Sequence, residues 1–348
     1  VRAPVRLSAP VVMGACALAG VALAGALELT GRRRRAASAA VVALALVLAG
    51  VSVRRPLVAP TAETPAMIPP VYRWLGSASP GAIVEIPFQP FQRADPVGRA
   101  VEARRTYRSV VHWQPMLGGY GGYAPPTYAA VGALVEALPD PRAAELLARL
   151  SGLRRIVVHD AELDADRRAA WDAAADAYAE VARLGDDRVL ELGGAPAPDL
   201  MAAFLSDGET TPLGTPRAAL AERDRRAVLA LDAPLARVPR LRPAALAVRV
   251  RNAGTARWPA VGATRRGLAT VAVRWTDAAG RSRETADAGR LPWDLSPGAE
   301  TVAYATIPPP PRGAPAVQLE IGLAQDGRWF DGALALSADA SGAVRACD

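Results

Sequence analysis

The chain has 348 residues, of which 51% are hydrophobic and 22% charged, and this is enough for two folded domains with packed cores. All 41 basic residues are arginine, and the formal net charge is +7. The arginines are scattered and do not alternate with aromatic residues in one patch, so nucleic-acid binding is not predicted. Two distant cysteines, Cys16 and Cys347, argue against a disulfide framework, and two histidines, His112 and His159, do not make a Cys/His metal cluster.

The N-terminal part contains two apolar runs, residues 11–29 and 36–53, separated by a glycine and Arg32–Arg35. Each run is close to the roughly 20 residues that cross a bilayer as a helix. The pattern predicts a transmembrane helical hairpin over residues 1–55, with the lipid bilayer as a partner. A pair of buried core helices is the alternative. The dense charge of the turn favours a cytoplasmic location for the turn.

Residues 56–70 contain five prolines and are predicted to be an extended linker. An α/β domain is predicted over residues 71–192, because short apolar strands alternate with helical patterns there. A short helix is expected to begin at residues 71–75. The predicted strands are 82–86, 108–113, 155–159 and 189–192. The other predicted helices are 128–138, 141–150 and 164–184. Together they predict a small sheet covered by helices.

Residues 193–243 are predicted to be a linker or a loose helical cover, with helical pieces at 200–205 and 216–230. Residues 244–340 change character, because apolar and polar residues alternate at 245–251, 270–275, 301–306 and 317–324. This alternation predicts an antiparallel β-sandwich. Its tryptophans, Trp275 and Trp329, are expected in the core, with glycan recognition as the alternative.

The predicted fold class is therefore multidomain. It combines an N-terminal transmembrane helical hairpin, a small α/β domain and a C-terminal immunoglobulin-like antiparallel β-sandwich.

A glycine-rich stretch at residues 107–128 provides the candidate binding residues. Tyr120 and Tyr123 stand among the glycines, and His112 and Trp113 precede them; such a loop exposes aromatic faces together with backbone N–H groups. This chemistry suits a sugar or a phosphate. The alternative is a tight connection whose tyrosines pack on their own domain.

Glu85, His112 and His159 are each predicted to lie in or at the end of a strand. If the three strands are neighbours, these side chains converge at the carboxyl ends of the strands, where such sheets bind ligands. A Glu–His pair can exchange protons with a substrate. It can equally be a buried hydrogen-bonded pair that holds the loop.

Asp164 and Asp166 form an Asp-x-Asp pattern, a spacing that can hold a divalent metal through carboxylate oxygens. The pattern begins a predicted helix, where acidic residues cap free N–H groups, and capping is the favoured interpretation. No metal and no cofactor are predicted.

Three segments carry a family resemblance: residues 80–87 (PGAIVEIP), 112–128 (HWQPMLGGYGGYAPPTY) and 153–159 (LRRIVVH). In this order they resemble the extracytoplasmic C-terminal region of bacterial multi-pass membrane proteins that are similar to polyprenyl-phosphate-sugar-dependent glycosyltransferases of the C-type fold. The resemblance covers about residues 10–192. It implies a glycan or a polyprenyl-phosphate sugar as partner, and an upstream membrane domain. It also implies the bacterial cytoplasmic membrane as location, with residues after 55 outside the cytoplasm.

In that family, catalysis depends on an acidic residue in an early loop between membrane helices. Here the two apolar runs are joined only by glycine and four arginines, so no residue is predicted to be catalytic. The predicted function is a membrane-anchored accessory region of a glycosyltransferase-like protein in cell-envelope glycan assembly. The alternative is a non-enzymatic envelope protein that binds glycans or proteins through its α/β and β-sandwich domains.

The segments around Trp258, Trp275 and 291–298 also look like immunoglobulin-like modules of bacterial surface-polysaccharide proteins.

Overall fold

The structure is a computed structural model that describes residues 63–88, 96–119, 127–233, 242–311, 316–339 and 343–346, with some single positions outside these ranges. The chain divides into two units, Val1–Met67 and Ile68–Asp348. In the first unit the structure describes a short 3-10 helix, Pro65–Met67. All elements discussed below belong to the second unit.

The structure corrects the predicted fold class. Among the described residues, no helix is both long and apolar enough to cross a membrane. The predicted transmembrane hairpin is therefore contradicted, and most of the runs 11–29 and 36–53 lies outside the described residues. The protein is a mixed α/β protein with several β-sheets.

The first half of the unit contains a sheet with helices on its faces. Its helices are α1 Pro70–Ser77, α2 Pro96–Arg108, α3 Thr127–Glu136, α4 Pro141–Ser151, α5 Ala165–Ala173 and α6 Pro198–Leu205. Its strands are β1 Ala82–Ile86, β2 Leu153–His159, β3 Ala179–Leu184 and β4 Asp187–Glu191. The sheet order is β1-β2-β4-β3. Strands β1 and β2 run parallel, and the other neighbours are antiparallel.

Helix α4 illustrates how the sequence sets local structure. Asp140 caps its start by accepting a hydrogen bond from the Arg142 N–H at 2.9 Å, and Pro141 occupies the first turn. Gly152 ends the helix with a left-handed φ of 67°, a conformation that glycine adopts without steric cost. One face of the helix carries buried residues such as Leu147 and Leu150, and it packs against β2.

Two sequence predictions are wrong in this half. Residues 108–113 are not a strand, because α2 continues to Arg108 and a 3-10 turn, Ser109–Val111, follows. The predicted helix 164–184 ends at Ala173, and β3 pairs with β4 through a turn at Gly185 and Asp186. A Gly-Asp pair between two short runs is a hairpin signal, and strand pairing here outweighs the helix propensity of the alanines.

The second half consists of antiparallel strands. They are β5 Ala227–Leu231, β6 Ala244–Asn252, β7 Ala269–Asp277, β8 Ser282–Arg290, β9 Glu300–Ile307, β10 Ala316–Gln325, β11 Arg328–Trp329, β12 Leu334–Asp339 and β13 Val344–Ala346. One sheet has the order β5-β6-β9 and the other β13-β12-β10-β7-β8, with β11 paired to β10. Residues 216–230 were predicted to be helical, but they contain the 3-10 turn Glu222–Asp224 and then β5.

One hydrophobic cluster extends through both halves of the unit. It joins Val84 and Leu147 of the helical half to Val248 and Trp275 of the antiparallel sheets. Helix α3 contacts both β8 and β9. A second, smaller cluster lies under α1, where Val71 and Leu75 pack on Ile83 of β1. This smaller cluster supports the polar group described next.

Candidate functional site

The predicted convergence of Glu85 and His159 is present at the carboxyl ends of β1 and β2. Side chains alternate between the two faces of a strand, so Glu85 lies on the same face of β1 as Ile83, which packs under α1. The His159 Nε2 lies 2.9 Å from Glu85 Oε2, and its Nδ1 lies 2.7 Å from Asp187 Oδ1. The ring thus bridges two carboxylates.

Two further side chains close this group. The Tyr72 hydroxyl donates a hydrogen bond to Glu85 Oε2 at 2.6 Å, and the Arg105 Nε lies 3.4 Å from the same oxygen. Arg105 also contacts Glu102 at 3.2 Å and Glu162 at 2.6 Å. The side chains of Glu85 and Arg105 are each only 2% exposed. We call Tyr72, Glu85, Arg105, His159 and Asp187 the buried polar network.

The surroundings of the network favour the charged forms of Glu85 and His159 and the neutral form of Tyr72. Burial alone would raise the pKa of Glu85, but the hydrogen bond from His159 and the charge of Arg105 outweigh it and lower that pKa. Burial alone would lower the pKa of His159, but hydrogen bonds to Asp187 and Glu85 raise it to about 9. Burial, reinforced by the charge of Glu85, raises the pKa of Tyr72. At neutral pH the Glu85 carboxylate therefore faces a protonated His159.

His112 lies beside the network without joining its hydrogen bonds. Its ring stacks on Tyr72 with centroids 6.0 Å apart. Its Nδ1 accepts a hydrogen bond from the Gln114 N–H at 2.9 Å, and burial lowers its pKa, so the ring is neutral with its proton on Nε2. That Nε2 and the Glu85 Oε1 are buried atoms that make no hydrogen bond to the described residues. Glu85, His112 and His159 thus lie together, but only Glu85 and His159 form a direct hydrogen bond.

Trp113 has the opposite environment, because its side chain is 82% exposed. Its φ of +53° is left-handed, an uncommon and strained conformation for a bulky residue. The turn around it is fixed: the Trp113 N–H donates to the Ser109 carbonyl at 2.8 Å. The Gln114 amide bonds to the Leu75 carbonyl at 3.1 Å and accepts from the Gly81 N–H at 2.7 Å. A rigid turn therefore presents this indole to solvent.

The remaining sequence candidates have simpler outcomes. Tyr120 and Tyr123 lie outside the described residues. Asp164 caps α5 by accepting a hydrogen bond from the Arg167 N–H at 2.8 Å, which agrees with the capping interpretation of the Asp-x-Asp pattern. No group of three or more potential metal ligands occurs among the described residues.

Sequence reasoning missed the other members of the network. Arg105 lies in an arginine-rich helix, and the sequence does not distinguish it from the solvated arginines beside it. Only its position three residues after Glu102 suggests that it forms an ion pair. Asp187 was assigned to a helix end. Its direct register with His159 across β2 and β4 follows from the hairpin that the prediction lacked.

A groove that sequence reasoning also missed runs between the helices and the antiparallel sheets. We call it the seam groove, and three adjoining cavities define it. The first, about 260 Å³, lies between α3 and strands β8 and β9. The second, about 350 Å³, shares Glu136 and Tyr304 with the first. The third, about 320 Å³, shares Arg142 and Trp293 with the second.

Comparisons with known proteins identify no family for this chain. No protein-family model matches it, and no curated protein matches it. Among solved structures, a crystal structure described as the ApaA protein from Bordetella pertussis is 16% identical, with a TM-score of 0.18. That match covers 35% of this chain and 88% of the other. A likeness at this TM-score carries no argument about fold or function.

Proposed function

We propose that this protein is a non-catalytic glycan-binding component of cell-envelope glycan assembly, with Trp113 as its main contact. In this role it acts as an accessory region of a glycosyltransferase-like protein: it holds the glycan, while the transfer chemistry is done elsewhere. The observation that carries the proposal is the exposed indole of Trp113 on a hydrogen-bonded turn with a left-handed backbone angle.

Backbone strain at Trp113 supports a functional role. A residue held at left-handed φ costs on the order of 1–3 kcal/mol, and such strain clusters at binding sites. Glycine would relieve the strain at this position, so the chain keeps a large aromatic residue where stability favours a small one. The neighbouring residues His112 and Gln114 are only 6% and 8% exposed, so Trp113 is the residue of this turn that reaches solvent.

The chemistry of an exposed indole matches a sugar. Its flat apolar face can stack on the C–H groups of a pyranose ring, while its N–H can donate to a hydroxyl group. Tyr107 and Val110, 51% and 49% exposed, are three residues apart on the preceding helix and turn. They are exposed apolar side chains in the segment that precedes Trp113. The resemblance of segments 80–87 and 112–128 to glycosyltransferase-like proteins gives the expected ligand class.

A binding role fits the buried polar network better than a catalytic one. A catalytic acid or base needs a pKa near the working pH and direct access to the proton that it moves. The Glu85 pKa is lowered and the His159 pKa is raised, so at neutral pH the negative Glu85 and the positive His159 stabilise each other's charge. Their side chains are only 2% and 8% exposed. The network thus supports the turn that carries Trp113.

The test is a glycan array of bacterial surface polysaccharides probed with the wild-type protein and with Trp113→Ala. We expect wild-type binding to at least one glycan and its loss in the variant. Leu205→Ala is the matched control, because Leu205 is another exposed apolar residue, 54% exposed, on a different helix. Equal binding by wild type and Trp113→Ala, or binding to no glycan, would overturn the proposal.

A further inference from the structure

The third cavity of the seam groove has an arginine-rich wall. Arg142, Glu145 and Arg149 project from α4 at intervals of three and four residues, so they share one face of this helix. Arg257 and Trp293 lie on the antiparallel half of the cavity wall. Three guanidinium groups therefore surround a space of about 320 Å³.

Most charges around this cavity are already compensated. Arg142 binds Asp140 through two contacts of 3.1 and 2.7 Å, and Arg149 pairs with Glu145 at 3.5 Å. Asp294 is 4% exposed, and its Oδ1 accepts from the N–H groups of Ala260 and Val261 at 2.7 and 3.0 Å. The hydroxyl group of a threonine, Thr211, donates to the other oxygen of Asp294.

Two donors of the lining residues make no hydrogen bond to the described residues. Arg257 is exposed, and its guanidinium makes no hydrogen bond or ion pair to any residue that the structure describes. Trp293 is 8% exposed, and its buried Nε1–H makes no hydrogen bond in the described part of the chain. The Arg142 guanidinium lies 4.1 Å from the centroid of the Trp293 ring, which fixes the indole in the cavity wall.

We propose that this cavity binds the carboxylate of an acidic sugar. Arg257 offers a guanidinium that no carboxylate of the described residues engages, and its planar fork can bind both oxygens of a carboxylate. The buried indole of Trp293, with Arg142 over its ring, forms an apolar part of the cavity wall. A neutral sugar has no charged group for Arg257 to bind. This second site uses α4 and the 291–299 segment, elements that contribute nothing to the Trp113 turn.

The test is calorimetric titration of the full chain with hexagalacturonic acid and with its fully methyl-esterified form, which has a similar shape without the charge. We expect the acid to bind and the ester to bind at least roughly tenfold more weakly, since one charge-assisted hydrogen bond is lost. Arg257→Gln should weaken binding of the acid to a similar degree. Because Arg257 has no internal partner, this variant should keep the unfolding midpoint of the wild type.

Two control variants make the result specific. Arg266→Gln removes another exposed arginine outside the seam groove and should not change the affinity. Trp113→Ala should also leave it unchanged, which separates this site from the proposed glycan contact. Equal affinity for acid and ester, no binding of the acid, or unchanged binding by Arg257→Gln would each overturn the proposal. Competition by inorganic phosphate that depends on Arg257 would overturn the assignment to a carboxylate.

Discussion

His159 should make the stability of this protein depend on pH in the neutral to alkaline range. Its pKa is about 9 in the folded protein against 6.5 for a free histidine, because Asp187 and Glu85 accept hydrogen bonds from both ring nitrogens. The native state therefore holds this proton more tightly than the unfolded state does. The resulting stability is fully present below pH 6.5 and is lost as the pH rises through 9.

The magnitude follows from the size of the shift. The displacement from 6.5 to about 9 corresponds to roughly 3 kcal/mol, at about 1.4 kcal/mol per pKa unit. The second histidine, His112, does not add to this loss, because a lowered pKa makes its contribution to stability rise rather than fall with pH. Urea unfolding between pH 6 and 9.5 should show the decrease in the wild-type protein.

His159→Gln supplies the matched comparison, because glutamine cannot carry the proton. Its free energy of unfolding should be lower than that of the wild type at pH 6, and the difference should shrink as the pH rises to 9.5. Titrating groups that do not interact with His159 affect both proteins equally and cancel in the difference. A constant difference across the range would refute the assignment of a protonated His159 in the buried polar network.

Four substitutions test other parts of the account by urea unfolding. Trp275→Ala should lower the free energy of unfolding by about 3–5 kcal/mol, because the ring is fully buried and its Nε1 donates to the Pro308 carbonyl at 3.0 Å. A decrease below about 1 kcal/mol would contradict a core role. Asp164→Ala should cost about 1 kcal/mol through the lost helix cap, whereas Asp166→Ala should cost less. Arg105→Met should cost about 3–5 kcal/mol, because it leaves Glu85 buried with less compensation, and an unchanged midpoint would show that Arg105 contributes little.

The sequence predicts elements well where one local signal is sufficient. Strand 82–86 has the predicted bounds, and α4 begins at the predicted Asp140-Pro141 signal, because a short apolar run and a helix cap are local signals. The helix predicted over 164–184 fails because helix propensity, even that of alanine, is a weak guide, while the pairing of β3 with β4 depends on a partner strand. Likewise, the β-branched residues Val110 and Val111 lie in a 3-10 turn and not in a strand.

The candidate site is only partly accessible from sequence for the same reason. The meeting of Glu85 with His159 follows from parallel neighbouring strands, a general rule of such sheets. The exposure of Trp113 depends on one left-handed backbone angle, which no sequence pattern in this stretch specifies. The seam groove joins residues far apart in the chain, as in the 3.3 Å contact of Arg167 with the Tyr304 hydroxyl, so only the folded structure reveals it.

Trp113→Gly tests the central claim most directly, because binding and stability should change in opposite directions. Glycine relieves the left-handed strain, so the free energy of unfolding should stay equal or rise by up to about 1 kcal/mol. Binding to the glycan identified on the array should be lost, because the stacking surface is gone. Calorimetric titration and urea unfolding of the same preparation measure both quantities. A variant that binds the glycan as tightly as the wild type would contradict the account.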